Sequence, residues 1–175
     1  MKTEALRAVQ APLKDRYRER PDDALIRLEA AGELGEGVTC SVQSGRGLVQ
    51  AGLHPSTGGD GLSLCSGEML LEALVACAGV TLSAVATAIG VEIRRGSVHA
   101  EGALDVRGTL GVSKDVPVGL QRIQLRVSLE TDASDDQLAT LLRLTERYCV
   151  VYQTLRQSLE IGMAVDRAGS PSTGS

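Results

Sequence analysis

Hydrophobic and polar positions change period several times along this chain, and each change marks a predicted element. Thr3 to about Arg20 reads as a charged helix closed by Pro21, because the residue before a proline is pushed out of helical geometry. Over Ala24–Ala31, Ile26, Leu28 and Ala30 alternate with Arg27 and Glu29, as in a half-buried strand. Val38, Cys40 and Val42 repeat the pattern after a glycine-containing break, which predicts a hairpin with Cys40 on its apolar side. Leu48–Ala51 reads as a short third strand. The stretch 52–67, GLHPSTGGDGLSLCSG, is rich in turn formers and reads as a loop, with Ser66 as the N-cap of the next element.

That element is the longest apolar run of the chain. Met69–Ile89 is 21 residues with Glu72 as its single charge, ending at Gly90, a natural helix terminator. By length it could span a bilayer. Gly79, Thr81, Ser83, Thr87 and six alanines dilute it, Glu72 would be costly at membrane depth, and no Lys/Arg cluster flanks it. The expectation is therefore a central helix covered by other elements, with no membrane partner. Ser97–Arg107 and Leu120–Glu130 then alternate as two strands of a sheet with one wet face, joined by the loop GTLGVSKDVPVG. Ser134-Asp135-Asp136-Gln137 is a capping box opening another helix. Leu138, Leu141, Leu142, Thr145, Cys149 and Tyr152 fall on one stripe of it, so Cys149 is expected to point inward. Leu159–Val165 carries Leu, Ile, Met and Val at every second position and reads as a last strand. The order predicts an α+β fold, a curved antiparallel sheet wrapped around a long buried central helix. A single domain is expected over 1–167, with a flexible tail at 168–175, AGSPSTGS.

Composition narrows the function. There is no Phe, no Trp and only three Tyr among 175 residues, so stacking platforms for nucleic-acid bases are missing. A net charge of −4 offers no basic surface for phosphates, and nucleic acid is not an expected partner. MKTEALRAVQAPLKDRYRERPDD has no apolar signal-like core, which places the protein in expectation in the cytoplasm. There, lasting disulfides are rare and redox-active ones transient. Cys40, Cys65, Cys77 and Cys149 contain no CxxC pair, and with only two histidines no metal or other cofactor is called for.

Two cysteines remain as candidate chemistry. Cys77 lies within the apolar run and Cys149 in TERYCVVYQTL, 72 residues later (149 − 77). Brought together by the fold, they form a pair able to pass between dithiol and disulfide, the minimum equipment of a thiol peroxidase. Kept apart, they are two buried small hydrophobes. Cys65, just before the helix N-cap, is the rival partner, since a helix N-terminus lowers a thiol pKa.

A long apolar helix with a mid-helix cysteine (LLEALVACAGVTL), strands after it, and a late helix carrying ERYCVVYQTL resemble the OsmC/Ohr family of osmotically inducible and organic-hydroperoxide-resistance proteins. The similarity runs from roughly Val38 to Val165 and looks like a divergent OsmC-like branch. It implies an intertwined α+β homodimer with active sites between subunits. It also implies reduction of organic hydroperoxides, with Cys77 peroxidatic, Cys149 resolving, and a dithiol of the dihydrolipoyl type as reductant. The family activates its cysteine with an Arg held by a Glu ten residues before it, and that position here is Gly67. Glu68 is the candidate replacement, although it points about 180° from Cys77 on a regular helix. Arg46 is the candidate arginine, with Arg107 or Arg147 as alternatives. Val150 stands where the family often has a proline after its second cysteine. The alternative function is a non-catalytic redox sensor or small-molecule binder on the same scaffold.

Overall fold

The structure, a computed structural model, describes residues 47–165 without a break, the strand backbone at 32–34 and 39–44, and Thr3, Glu4, Ala8, Ala11, Glu19 and Arg20. The first five of those separate positions are helical, within the helix expected over Thr3–Arg20. Thr3 Oγ1 donates a 2.8 Å hydrogen bond to the carbonyl of Thr87. The strand expected over Ala24–Ala31 and the tail from 168 lie outside the described residues.

Helix α1, Ser66–Ile89, is the element around which the rest is placed. Its N-cap is Cys65 rather than Ser66, with no side-chain cap, and Glu68 in the first turn complements the unpaired N–H groups there. It ends where Gly90 takes a left-handed φ of 76° and returns its N–H to Ala86 O, a conformation that costs glycine little. Leu74, Ala78, Leu82 and Val85, with Ala86 beside them, form a single buried stripe at helical spacing. The expectation of a helix buried all round needs correction for the single chain. Only 28% of its most apolar window is covered, and Val80 on the far side is 73% exposed. By length and composition α1 could cross a membrane.

Among the described residues the strands, mostly antiparallel as expected, fall in two sheets. The first has the order β1 (Gly32–Leu34), β2 (Thr39–Ser44), β3 (Gly47–Gly52), β4 (Leu64–Cys65). Its first two pairings are antiparallel, but β4 runs parallel to β3, with Ala51 opposite Leu64 and Gly52 opposite Cys65. The loop between them, which includes a 3-10 turn at Pro55–Thr57, makes this return possible. Thr57 and Gly59 both donate their N–H to the His54 carbonyl. A Cβ on Gly59 would lie 1.7 Å from Leu53 O, so the crossing admits only glycine.

The second sheet pairs β5 (Arg95–Leu104) with β6 (Leu120–Glu130), antiparallel throughout. Its wet face is held by Arg126–Glu101 at 3.2 Å and Arg95–Glu130 at 3.9 Å. Its inner face sets Val127 and Leu129 against Leu82, Val85 and Leu141. The strand expected to reach Arg107 stops earlier. The Asp105 carboxylate accepts the Arg107 N–H at 3.0 Å and caps a short helix, α2 (Val106–Thr109).

Ser134 opens α3, Asp135–Tyr148, with both bonds of the capping box present. Leu141, fully enclosed, joins α3 to α1 in the main core. The helical stripe expected to run on through Cys149 is interrupted there. Cys149 is extended (φ −73°, ψ 110°), and the chain restarts as α4, Val150–Arg156. Cys149-Val150-Val151 are three poor helix formers in succession, which makes this the weak point of the run. Leu159–Val165, expected as a strand, has no ladder partner among the described residues; Ile161 is 87% and Met163 99% exposed.

Candidate active site at two facing thiols

Cys77 lies in mid-α1, beside the buried stripe and one residue before Ala78. Both α3 and α4 pack on α1, and the break between them sets Cys149 against Cys77. The break also supplies the electrostatics. A helix start leaves backbone N–H groups without intrahelical partners. Here the N–H groups of Val150 and Val151, at the start of α4, are turned on the Cys77 sulfur.

Both thiols are free, and their environments push them in opposite directions. Burial by itself would raise the Cys77 pKa. Hydrogen bonds from the Val151 N–H, the Cys149 thiol, the Val150 N–H and the Thr81 hydroxyl outweigh it and hold Cys77 below the ordinary thiol value. Cys149 is 1% exposed. Burial pushes its pKa up first, and donating a hydrogen bond to Cys77 and lying near that charge push it further. The Tyr152 and Val151 N–H groups oppose the rise without reversing it. The negative charge of the pair therefore resides on Cys77, with Cys149 as the protonated partner. Behind Cys149, between β6 and the α3–α4 break, is a cavity of about 340 Å³ lined by Leu125, Val127, Leu142, Thr145 and Tyr152 among others. An adjoining cleft of about 360 Å³ shares Ile123, Leu125 and Tyr152 with it.

The other candidates are placed differently. Glu68 is exposed in the first turn of α1, about 13 Å along the axis from Cys77 at 1.5 Å per residue. Glu72 is exposed as well. Cys65 is the N-cap, a further turn away, and is not beside Cys77 within the chain. Arg107 is bound to Asp105 at 2.5 Å, and the Arg147 guanidinium lies 5.5 Å from the Tyr148 ring centre. Arg46 lies outside the described residues. Among the described residues, no group of three or more His, Cys, Asp or Glu side chains is placed to hold a metal ion. The residues that sequence reasoning missed are Thr81, Val150 and Val151. Thr81 left a signal, a hydroxyl one turn after Cys77; the two backbone donors left none, because they exist only through the helix break.

The model of the OsmC-like protein family matches residues 58–164, which includes both thiols and every element from β4 to α4. No curated protein matches the chain. Among solved structures, an OsmC-like protein from Mycoplasma pneumoniae aligns with a TM-score of 0.62 at 18% identity, over 75% of this chain and 88% of that one. An organic hydroperoxide resistance protein from Elizabethkingia anophelis aligns with a TM-score of 0.61 at 14% identity, over 75% and 89%. A second organic hydroperoxide resistance protein, from Legionella pneumophila, aligns with a TM-score of 0.54 at 16% identity, over 75% and 92%. At these identities the structures are similar in fold. The chain belongs to the OsmC-like family.

Proposed function

We propose that this OsmC-like protein is a cytoplasmic thiol-dependent peroxidase that reduces organic hydroperoxides, with Cys77 attacking and Cys149 resolving. The observation that carries the reading is the facing pair of free thiols with opposite pKa shifts. The Cys77 thiolate attacks the distal peroxide oxygen; the O–O bond breaks, and the departing alkoxide takes a proton and leaves as the alcohol. Cys77 is then a sulfenic acid. The Cys149 sulfur attacks the Cys77 sulfur, the S–O bond breaks, and the hydroxyl leaves as water with the Cys149 proton. One peroxide has taken two electrons from two thiols. A dithiol of the dihydrolipoyl type returns two electrons and two protons to complete the cycle. The apolar lining of the cavity beside Cys149 favours a substrate with a hydrocarbon body.

A homodimer is part of the same proposal. A groove of about 590 Å³ along the uncovered side of α1, lined by Val75, Gly79, Val80, Ile93 and Val98 among others, gives a second copy a surface to cover. The exposed apolar alternation of Leu159–Val165 offers a strand to pair. Light scattering checks the assembly. The reaction itself is tested by treating reduced protein with one equivalent of cumene hydroperoxide and mapping its peptides. The expected result is a loss of about 2 mass units in a Cys77–Cys149 linkage that dihydrolipoate reverses. Four thiols surviving excess peroxide would overturn the reading. Disulfide formation without turnover would replace it with a redox sensor.

A further inference from the structure

A helix that stops leaves carbonyls without their N–H partners, and each needs another donor. Around the α3–α4 break, Thr145 O accepts the Cys149 N–H at 2.9 Å and Cys149 O accepts the Gln153 N–H at 3.0 Å. Both are backbone bonds between residues four apart, as in any helix. Glu146 O is different. In an unbroken helix it would take the N–H of Val150, four residues on. Here the side chain of Gln153 donates to it instead, Nε2 to O at 2.7 Å. Cys149 is extended, at φ −73° and ψ 110°, which carries the Val150 N–H away from that carbonyl. Helical side chains lean toward the N-terminus, so Gln153, one turn into α4, reaches back over the break. Gln157 Nε2 lies 3.5 Å from Gln153 Oε1, in keeping with an amide whose nitrogen faces Glu146.

We infer that Gln153 is a positioning residue of the thiol site: its amide takes the place of the Val150 N–H at Glu146 O and so keeps α3 from running on through Cys149. The local sequence does not forbid continuation. No proline or glycine lies between Glu146 and Gln153, and the poor helix formers Cys149, Val150 and Val151 weaken the run without breaking it. The break matters to the chemistry because α3 and α4 both pack on α1, and Cys149 shares a cavity wall with Ala78, the neighbour of Cys77. A helix continued through residue 149 would turn the Cys149 side chain to a new direction. It would also return the Val150 N–H to Glu146, taking a donor away from the Cys77 sulfur. The functional meaning of Gln153 rests on the reading of the two thiols as a redox pair; the assignment of its bond does not.

The test reads the Cα and Cβ chemical shifts of Cys149 in the reduced full chain, which report extended or helical backbone at that residue. Gln153→Leu removes the donor, and so does the near-isosteric Gln153→Glu, whose ionised carboxylate only accepts. Both are expected to move the shifts from extended toward helical values. Both are also expected to slow Cys77–Cys149 disulfide formation by diamide, which takes two electrons and two protons from the thiols, by about two- to tenfold, the effect of one ordinary hydrogen bond. Val150→Pro forbids the continued helix covalently, so adding Gln153→Leu to it is expected to change neither reading. Wild-type shifts and rate in both single variants would overturn the inference. An equal loss in the proline background would overturn it too, because it would mark a general loosening of α4. Diamide needs no peroxide. Displaced shifts in a chain that leaves peroxide untouched would therefore sink the peroxidase reading while keeping the Gln153 assignment.

Discussion

Cys77 and Cys149 occupy opposite kinds of backbone, and each depends on what the other's backbone lacks. Cys77 is in the middle of an unbroken 24-residue helix, where the local N–H groups are consumed by the helix itself. Cys149 is at a break, where the helix stops and restarts and the first N–H groups of α4 have no helical partner. Those donors are turned across the gap onto Cys77. The thiol that gains from the break is thus the one on the intact helix, and the thiol at the break is left buried and protonated. A reactive cysteine need not be the one next to the donors in sequence.

The largest expected effect separates the two thiols. Cys77→Ser is expected to abolish peroxide consumption altogether. Cys149→Ser is expected to consume one equivalent and stop at a sulfenic acid, trapped by dimedone and visible by mass. Equal, complete loss in both variants would break the division of roles. In the wild-type protein the depressed Cys77 pKa sets the sign of the pH response: the thiolate fraction rises with pH through a midpoint below the ordinary thiol value. Cys77 is accordingly expected to alkylate at lower pH than Cys149.

A second effect falls on the framework that holds the pair together. Leu141 is fully enclosed between α1 and α3, and Leu141→Ala is expected to cost about 2–5 kcal/mol, read as a lower urea midpoint. Disulfide formation should slow alongside it, because the same packing fixes the distance between the helices. Unchanged stability would mean that the core tolerates a shift of α3 over α1.

The smallest effect sharpens the role of the break. Val150→Pro removes one donor to Cys77 at the first position of α4, where proline fits a helix and its N–H has no helical duty. Cys149 already has the extended geometry that a following proline requires. The helix is therefore expected to survive while sulfenic acid formation at neutral pH slows about two- to tenfold, the effect of one ordinary hydrogen bond. An unchanged rate would shift the credit to Val151 and Thr81.

How much of this was legible in advance varies by element. Period-two alternation located Leu120–Glu130 to the residue, and the capping box placed the start of α3. The residue contexts singled out Cys77 and Cys149, and the resemblance assigned their roles. The short helix after Asp105, the parallel β3–β4 pairing and the interruption at Cys149 escaped. Each depends on a local side-chain cap, a backbone crossing or a junction between helices, and none of these leaves a periodic trace.

By itself, then, the sequence determined most of the helix and strand segments, which positions are apolar, and that two cysteines lie in unlike settings, because short-range sterics and burial patterning act within a few residues. Tertiary structure alone decided that Cys77 and Cys149 face each other, that two backbone donors and the Thr81 hydroxyl converge on one sulfur, and which thiol carries the charge. Those outcomes depend on long-range packing between α1 and a helix break 72 residues away, and a pKa follows the surroundings that packing creates, whatever the residue's neighbours in the chain.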